Sequence, residues 1–364
     1  MNTKNILVVE DDEDMIMLME DALECWNENN KINGRIFNAI YAKSSKEADQ
    51  VLFDMKIDGA LIDLRLPSDD CTEKENSENG NRLADAMLNE NGIPIAIVSG
   101  NTREVDRDRL SDLVKAFDKV DDGYNQAVKW LANQWELMDA LRSVRKKLEQ
   151  STAEVFVRRI WRNWLKITDT IGHDYHKLAT LIARQYASHT AEFLSQDDDW
   201  HPSENFIMPS YIADRAHTGD IFELEENDFW VVLTPQCDMS TRRIPNVLLA
   251  KCLLGLDEWQ EKRRVKKSGG NASNNQRKKA DNFFKELVNQ NRSPSEHFLP
   301  PIPGEDDPLL VKFNEIRTIP LNELEKNLGK RVASVSPPFL GNLIQRFGAF
   351  ISRTGQPNIN IEHL

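Results

Sequence analysis

Four apolar residues, Ile6-Leu7-Val8-Val9, run directly into Glu10-Asp11-Asp12, and this junction constrains the fold of the 364-residue chain more than any other feature. A run so short and so uniformly apolar reads as a strand buried on both faces, as in a parallel sheet covered by helices. The signal then repeats. Asp14 to Trp26 has helical spacing, Arg35 to Tyr41 reads as a second strand, and Ser44 to Phe53 as a helix opened by a Ser44/Glu47 capping pattern. Gly59 to Leu64 is a third strand, Ser68 to Gly80 an acidic loop, and Asn81 to Asn89 a helix. Ile93 to Val98 and Leu113 to Phe117 supply a fourth and a fifth strand. This alternation predicts an α/β fold, a doubly wound five-stranded parallel sheet with helices on both faces.

Ligands of such sheets sit outside the carboxyl ends of the strands. The first strand ends in Glu10-Asp11-Asp12, the third carries Asp63, the fourth ends in Ser99, and Lys119 follows the fifth. Carboxylates converging on one rim repel each other and call for a cation, and Mg²⁺ suits an all-oxygen site. Asp63 is then placed to attack phosphorus and form an acyl phosphate. Lys119 would balance the new charge, and the Ser99 hydroxyl would bond a phosphate oxygen.

The segments ILVVEDD, LIDLRLP, IVSGN and FDK, in this order and at these strand ends, resemble the response-regulator receiver family, whose fold is flavodoxin-like. The resemblance covers about one third of the chain. It implies Asp63 as phosphoacceptor, Asp11 and Asp63 as direct Mg²⁺ ligands, Glu10 acting mainly through metal-bound water, and the Arg65 carbonyl as a backbone ligand. It also implies a histidine kinase or phosphotransfer protein as phosphodonor. Three departures bear on how the signal is read. Val120 stands where the family has proline, and Ala116 occupies the aromatic switch position, with Phe117 beside it. The loop from Ser68 to Gly80 is also long and acidic for the family. The alternatives are strand-end acids that merely cap helices, as Asp11 or Asp12 would for the helix at 14, and a receiver locked in one state.

Beyond this region the pattern predicts a receiver at 1–128, a helical linker or transmitter at 129–200, and an α+β output domain at 201–364 with a mobile basic loop at 262–279. Trp130, Leu137, Leu141, Val144, Leu148 and Val155 recur at helical steps between Tyr124 and Ile171, which hold almost no Gly or Pro. Such a helix packs on its own domain, or forms a parallel coiled-coil homodimer through 129–165; Gln134 and Ser151 count against the second reading. In the helix that follows, His173, Asp174, His176 and His189 are candidates for metal or phosphoryl chemistry, exposed helical histidines being the commoner case. The segment FWVVLTPQCDM delivers Cys237 and Asp238 to a strand end, and Cys237 with His217 would make a nucleophile and base. A buried structural cysteine is the plainer expectation. The GDIF and FWVVLTP segments resemble small β-barrels of the toxin endoribonuclease type, and Pro338 to Phe350 reads as a closing helix.

A net charge of −13 argues against wholesale electrostatic capture of nucleic acid, which needs basic surface to displace counterions. Cys25, Cys71, Cys237 and Cys252 are widely spaced, as expected of reduced thiols in a cytoplasmic protein. The first residues lack the pattern of a signal peptide, and no apolar run approaches the roughly 20 residues that span a bilayer. These features lead to the expectation of a two-component signalling protein whose C-terminal module acts on another protein. By association alone they point to a bacterial stress or phage-defence circuit. A phosphorylation-gated hydrolase or nuclease built on Cys237 and His217 is the first alternative, and a nucleic-acid-binding regulator using the basic loop is the second.

Overall fold

β1 (Asn2–Val9) lies between β2 (Arg35–Ala42) and β3 (Gly59–Ile62), and β4 (Ile95–Ser99) and β5 (Val114–Asp118) extend the sheet beyond β3, every pair parallel. This computed structural model describes residues 2–66, 77–105, 112–120, 122–172, 174–194, 200–210, 214–268 and 272–354. The chain divides into two compact units, 1–193 and 194–364.

Alternation along β1 explains the unbroken apolar run. Ile6 and Val8 face α1 (Glu13–Asn30) and α4 (Gly123–Asn133), packing with Met19, Leu23, Ala127 and Leu131. Leu7 and Val9 face the other way, toward α2 (Ser45–Asp54) and α3 (Ser77–Ala86), packing with Ala48 and Leu83. The predicted caps form: Asp12 accepts hydrogen bonds from the Asp14 and Met15 amides, and Ser44 accepts one from the Glu47 amide. Part of the polar segment expected as a loop, Ser77 to Gly80, is instead the first turn of α3; residues 67–76, including Cys71, lie outside the described residues. Between β4 and β5, the 3₁₀ turn Thr102–Glu104 is the one helical element among the described residues.

The long helix is present but interrupted. α4 stops at Asn133 and α5 (Trp135–Val155) begins two residues later; a π turn at Phe156–Ile160 and a 3₁₀ turn at Trp161–Asn163 precede α6 (Trp164–Ile171) and α7 (Tyr175–Leu194). The first half of α5 docks on its own unit at the amino ends of the strands. Trp135 is 1% exposed, with its ring 5.2 Å from that of Phe37. Lys4, fully buried, pairs with Asp139, and Arg142 pairs with Asp58 while donating to the Thr3 carbonyl at 2.7 Å. With Trp135 and Met138 inside the unit and the helix broken after Val155, 129–165 does not present the uninterrupted seam that a coiled coil requires. No helix among the described residues is long and apolar enough to cross a membrane.

The second unit is α+β. Its sheet runs β10 (Glu296–Leu299), β11 (Leu309–Pro320), β9 (Asn246–Leu254), β8 (Asp228–Val232), β7 (Asp220–Glu225), β12 (Arg331–Val335) and β6 (Phe206–Ile207), all antiparallel. The closing helix, Pro337–Ile351, buries Leu343 and Phe347 against Val311 and Phe313. Its sheet has a buried polar hub: Asp220, fully buried, pairs with Arg331 at 2.9 Å and accepts bonds from the Ser334 hydroxyl and the His217 amide. The basic stretch 262–279 corrects our reading. Rather than a mobile loop it contributes to two helices, Trp259–Lys267 and Asn274–Val288, the second opened by a Ser273/Gln276 capping box. Three of its cations pair with acids (Lys262 with Glu258, Arg263 with Asp306, Lys266 with Asp281), while Trp259, Phe284 and Leu287 anchor the helices inward. Anchors so far apart in the sequence left the charged residues to dominate the local pattern.

Two stability predictions follow from these contacts. Replacing Asp139 by Ala leaves the Lys4 ammonium buried without its partner and should cost about 2–3 kcal/mol, whereas the double replacement Lys4→Met with Asp139→Leu should recover most of it. Urea unfolding of the full chain measures both. In the second unit, burial and the neighbouring Arg346 hold the His297 imidazole down at about 3, so it stays neutral when folded. The stability it contributes is present above the unfolded pKa of about 6.5 and is lost as pH falls from there toward 3. Wild type should therefore lose up to about 1.4 kcal/mol per pH unit more than His297→Phe over that window. Parallel slopes for the two proteins would refute this.

Candidate functional site

Five predicted residues meet at the carboxyl rim of the first sheet. Glu10 and Asp11 follow β1, Asp63 follows β3, Ser99 ends β4, and Lys119 follows β5. Backbone bonds set the rim: the Asp63 amide donates to the Val9 carbonyl at 2.8 Å, and the Lys119 amide to the Ser99 carbonyl at 3.1 Å. Glu10, Asp11 and Asp63 each offer a carboxylate oxygen within 4.8 Å of the others. The Lys119 ammonium lies 2.9 Å from Glu10 Oε2 and 3.3 Å from Asp63 Oδ1.

Burial dominates the electrostatics. It raises the Glu10 carboxyl above the usual carboxylate range, opposed by the Lys119 hydrogen bond and reinforced by the Asp63 charge. Burial raises Asp63 as well, against Lys119 and the Leu64 and Arg65 amides, which favour the ionised form. For Lys119 burial works against the charge, but the bond to Glu10 and the charges of Asp63 and Glu10 outweigh it and hold the ammonium above its ordinary value. Two of the three acids thus share one ammonium in a partly desolvated cleft, with Asp11 beside them. This hard-oxygen set, with more negative than positive charge, fits a divalent cation such as Mg²⁺.

Other residues stand around this cluster. Ser99 is 1% exposed and its hydroxyl accepts from the Asn101 amide at 3.2 Å. The Arg65 side chain points to Glu104 at 2.8 Å, and Asn101 donates to the same carboxylate at 2.9 Å. Ala116 packs on the α2/α3 face, whereas Phe117 packs on the α1/α4 face against Trp130, at 6.1 Å between rings. Successive residues of a strand face opposite ways, so Phe117 does not substitute for an aromatic at 116. Val120, after the lysine, is exposed. Two contributors were missed in the sequence. Tyr124 donates from its hydroxyl to Met15 Sδ at 3.0 Å beside the cluster, and burial, with the charges of Glu10 and Asp63, raises its phenol against Lys119. Gly123 starts α4 so close to β5 that a Cβ there would lie 1.7 Å from the Asp118 carbonyl oxygen. A glycine four residues after the lysine was the available signal.

The C-terminal candidates are less well assembled. Cys237 is exposed, correcting the expectation of a buried structural thiol; its Sγ lies 3.8 Å from Asp238 Oδ1 in the short helix Gln236–Thr241. His217 is buried beside the Asp220 hub, and burial lowers its imidazole. Cys252 is the buried cysteine of the unit, its thiol pushed up by desolvation. His173 lies outside the described residues; His176 is exposed and His189 half-buried on α7.

No protein-family model and no curated protein matches the chain. Among solved structures, the chain is similar to the signal receiver domain of an HD domain-containing protein from Pseudomonas fluorescens Pf-5, at 14% identity over 38% of this chain and 99% of that one, with a TM-score of 0.30. A CheY-like response regulator receiver domain protein from Methanospirillum hungatei JF-1 is 19% identical over 39% of this chain and 98% of that one, with a TM-score of 0.27. NtrX from Brucella abortus is 16% identical over 40% of this chain and 29% of that one, with a TM-score of 0.30. The strand order β2-β1-β3-β4-β5, with acids at the switch between β1 and β3, decides the fold. The N-terminal unit has the fold of a response-regulator receiver domain. In this unit the approach of α4 to β5 depends on Gly123. Gly123→Ala should destabilise it by about 1–3 kcal/mol in urea unfolding. Gly100→Ala, where a Cβ would meet open space beside Ser99, should stay within about 0.5 kcal/mol. Equal effects at the two positions would contradict this packing.

Proposed function

We propose that the N-terminal unit is a phosphorylatable receiver of a two-component signalling protein, modified on Asp63, and that it controls a C-terminal module acting on another protein. The observation that carries this reading is the convergence of Glu10, Asp11 and Asp63 at the carboxyl rim of the parallel sheet, with the Lys119 ammonium paired to Glu10 and Asp63. Glu10, Asp11, Asp63 and the Arg65 carbonyl would hold Mg²⁺, which when bound supplies positive charge to an incoming phosphoryl group. The Asp63 carboxylate oxygen attacks phosphorus; the bond from phosphorus to the donor breaks, and the donor departs with that electron pair. The donor is a histidine kinase or a phosphotransfer protein. Lys119, held charged by its neighbours, balances the negative charge that arrives, and the Ser99 hydroxyl donates to a phosphate oxygen.

A hydrolase centred on Cys237 has less support, because its exposed thiol lies against the Asp238 carboxylate rather than an imidazole base. A nucleic-acid role for 262–279 is weakened by the acids already paired with Lys262, Arg263 and Lys266.

Incubation with acetyl phosphate and Mg²⁺ tests the leading reading by intact-mass spectrometry. Wild type should gain one phosphate, chelation with EDTA should prevent it, and Asp63→Asn should gain none. Lys119→Ala should reduce the extent by at least about tenfold. Undiminished labelling of Asp63→Asn would sink the assignment.

A further inference from the structure

The second unit contains a cavity of about 910 Å³ that the receiver chemistry does not use. The volume is within the range of small-molecule sites. Part of its wall is aromatic. Trp200 and Phe339 meet edge to face at 5.4 Å, Trp259 and Phe284 do so at 5.3 Å, and Pro300 and Pro301 line the same space. The wall is held in place by backbone bonds: Trp259 Nε1 donates to the Asp306 carbonyl at 3.0 Å, and Gln290 exchanges two hydrogen bonds with the Phe298 backbone, at 2.9 and 2.7 Å.

Two polar side chains on this cavity are incompletely satisfied. Arg346, on the closing helix, donates from Nη2 to the Ser293 and Glu296 carbonyls at 3.0 and 2.9 Å. Its buried Nε has no hydrogen-bond partner, and no ion pair to it occurs among the described residues. Arg263, on the same cavity, differs in being paired with Asp306 at 2.6 Å. His297, 3% exposed, also lines the cavity, and its buried Nδ1 has no partner among the described residues. A half-buried guanidinium anchored only by neutral carbonyls is left with uncompensated charge, and a buried ring nitrogen without a partner is costly. Both deficits are met by one anionic group, and the aromatic walls suit a flat apolar body.

We propose that this cavity binds a small planar aromatic molecule carrying one anionic group, the ring between the aromatic walls and the anion on Arg346 beside His297. The binding site would make the second unit responsive to a small ligand, independently of the chemistry at Asp63.

Titration of the full-length protein with 2-naphthoate and with neutral 2-naphthamide, followed by calorimetry, tests this directly. Wild type should bind the carboxylate at least about tenfold more tightly than the amide, as a charge-assisted bond implies. Arg346→Gln should remove that preference while changing amide binding by less than about threefold, and Arg346→Lys should keep a preference for the anion. Asn342→Trp, at an exposed position of the closing helix that lines the cavity, should weaken both ligands by obstruction. Thermal melts show which variants fold. If Arg346→Gln does not, the wild-type charge preference and the weaker binding of both ligands by Asn342→Trp decide. No saturable binding, equal affinity for the two probes, or indifference to Asn342→Trp would each overturn the proposal.

Discussion

The ammonium of Lys119, set between Glu10 and Asp63, is the interaction on which the receiver rim depends. Three carboxylates brought to the ends of neighbouring parallel strands repel one another, and burial makes the charges of Glu10 and Asp63 costlier than in water. Lys119 relieves this only in part, so the cluster keeps more negative than positive charge, as a site for a divalent cation would. The same placement binds β5 to the site: the residue that carries the compensating charge is also hydrogen-bonded through its amide to the Ser99 carbonyl.

The opposite edge of the sheet is built differently. There Lys4 with Asp139, Arg142 with Asp58, and Trp135 with Phe37 fasten α5 to the amino ends of the strands. The helix that leaves the receiver thus begins as part of its core. It lies at the amino ends of the strands, whereas the acidic cluster lies at their carboxyl ends, with the sheet and α4 between. Ala116 and Phe117 show how specific that packing is. Their order places a small side chain on one face and the aromatic ring on the other, against Trp130 on α4.

Much of the first unit was legible because local and global preferences agree there. Continuous apolar runs demand burial on both faces, acids at their ends mark the rim, and Asp12 and Ser44 announce the helices they cap. Legibility declined where distant residues supply the partner. The strand Arg331–Val335 is short and mixed in sequence, and it is held by the Asp220 hub more than a hundred positions away. The basic stretch looked like a loop because Trp259 and Leu287, which bury its two helices, flank it at a distance.

The sequence by itself determined the order of strands and helices in the first unit and the identity of the rim residues, because period-two burial and strand-end charges are local signals. Only the tertiary structure decided which groups share one environment. It set Lys119 between two buried acids, turned Phe117 away from the face of residue 116, exposed Cys237, and left Arg346 without a counter-charge among the described residues. Those outcomes depend on desolvation and on contacts between segments far apart in the chain, and neither is written in the spacing of any one segment.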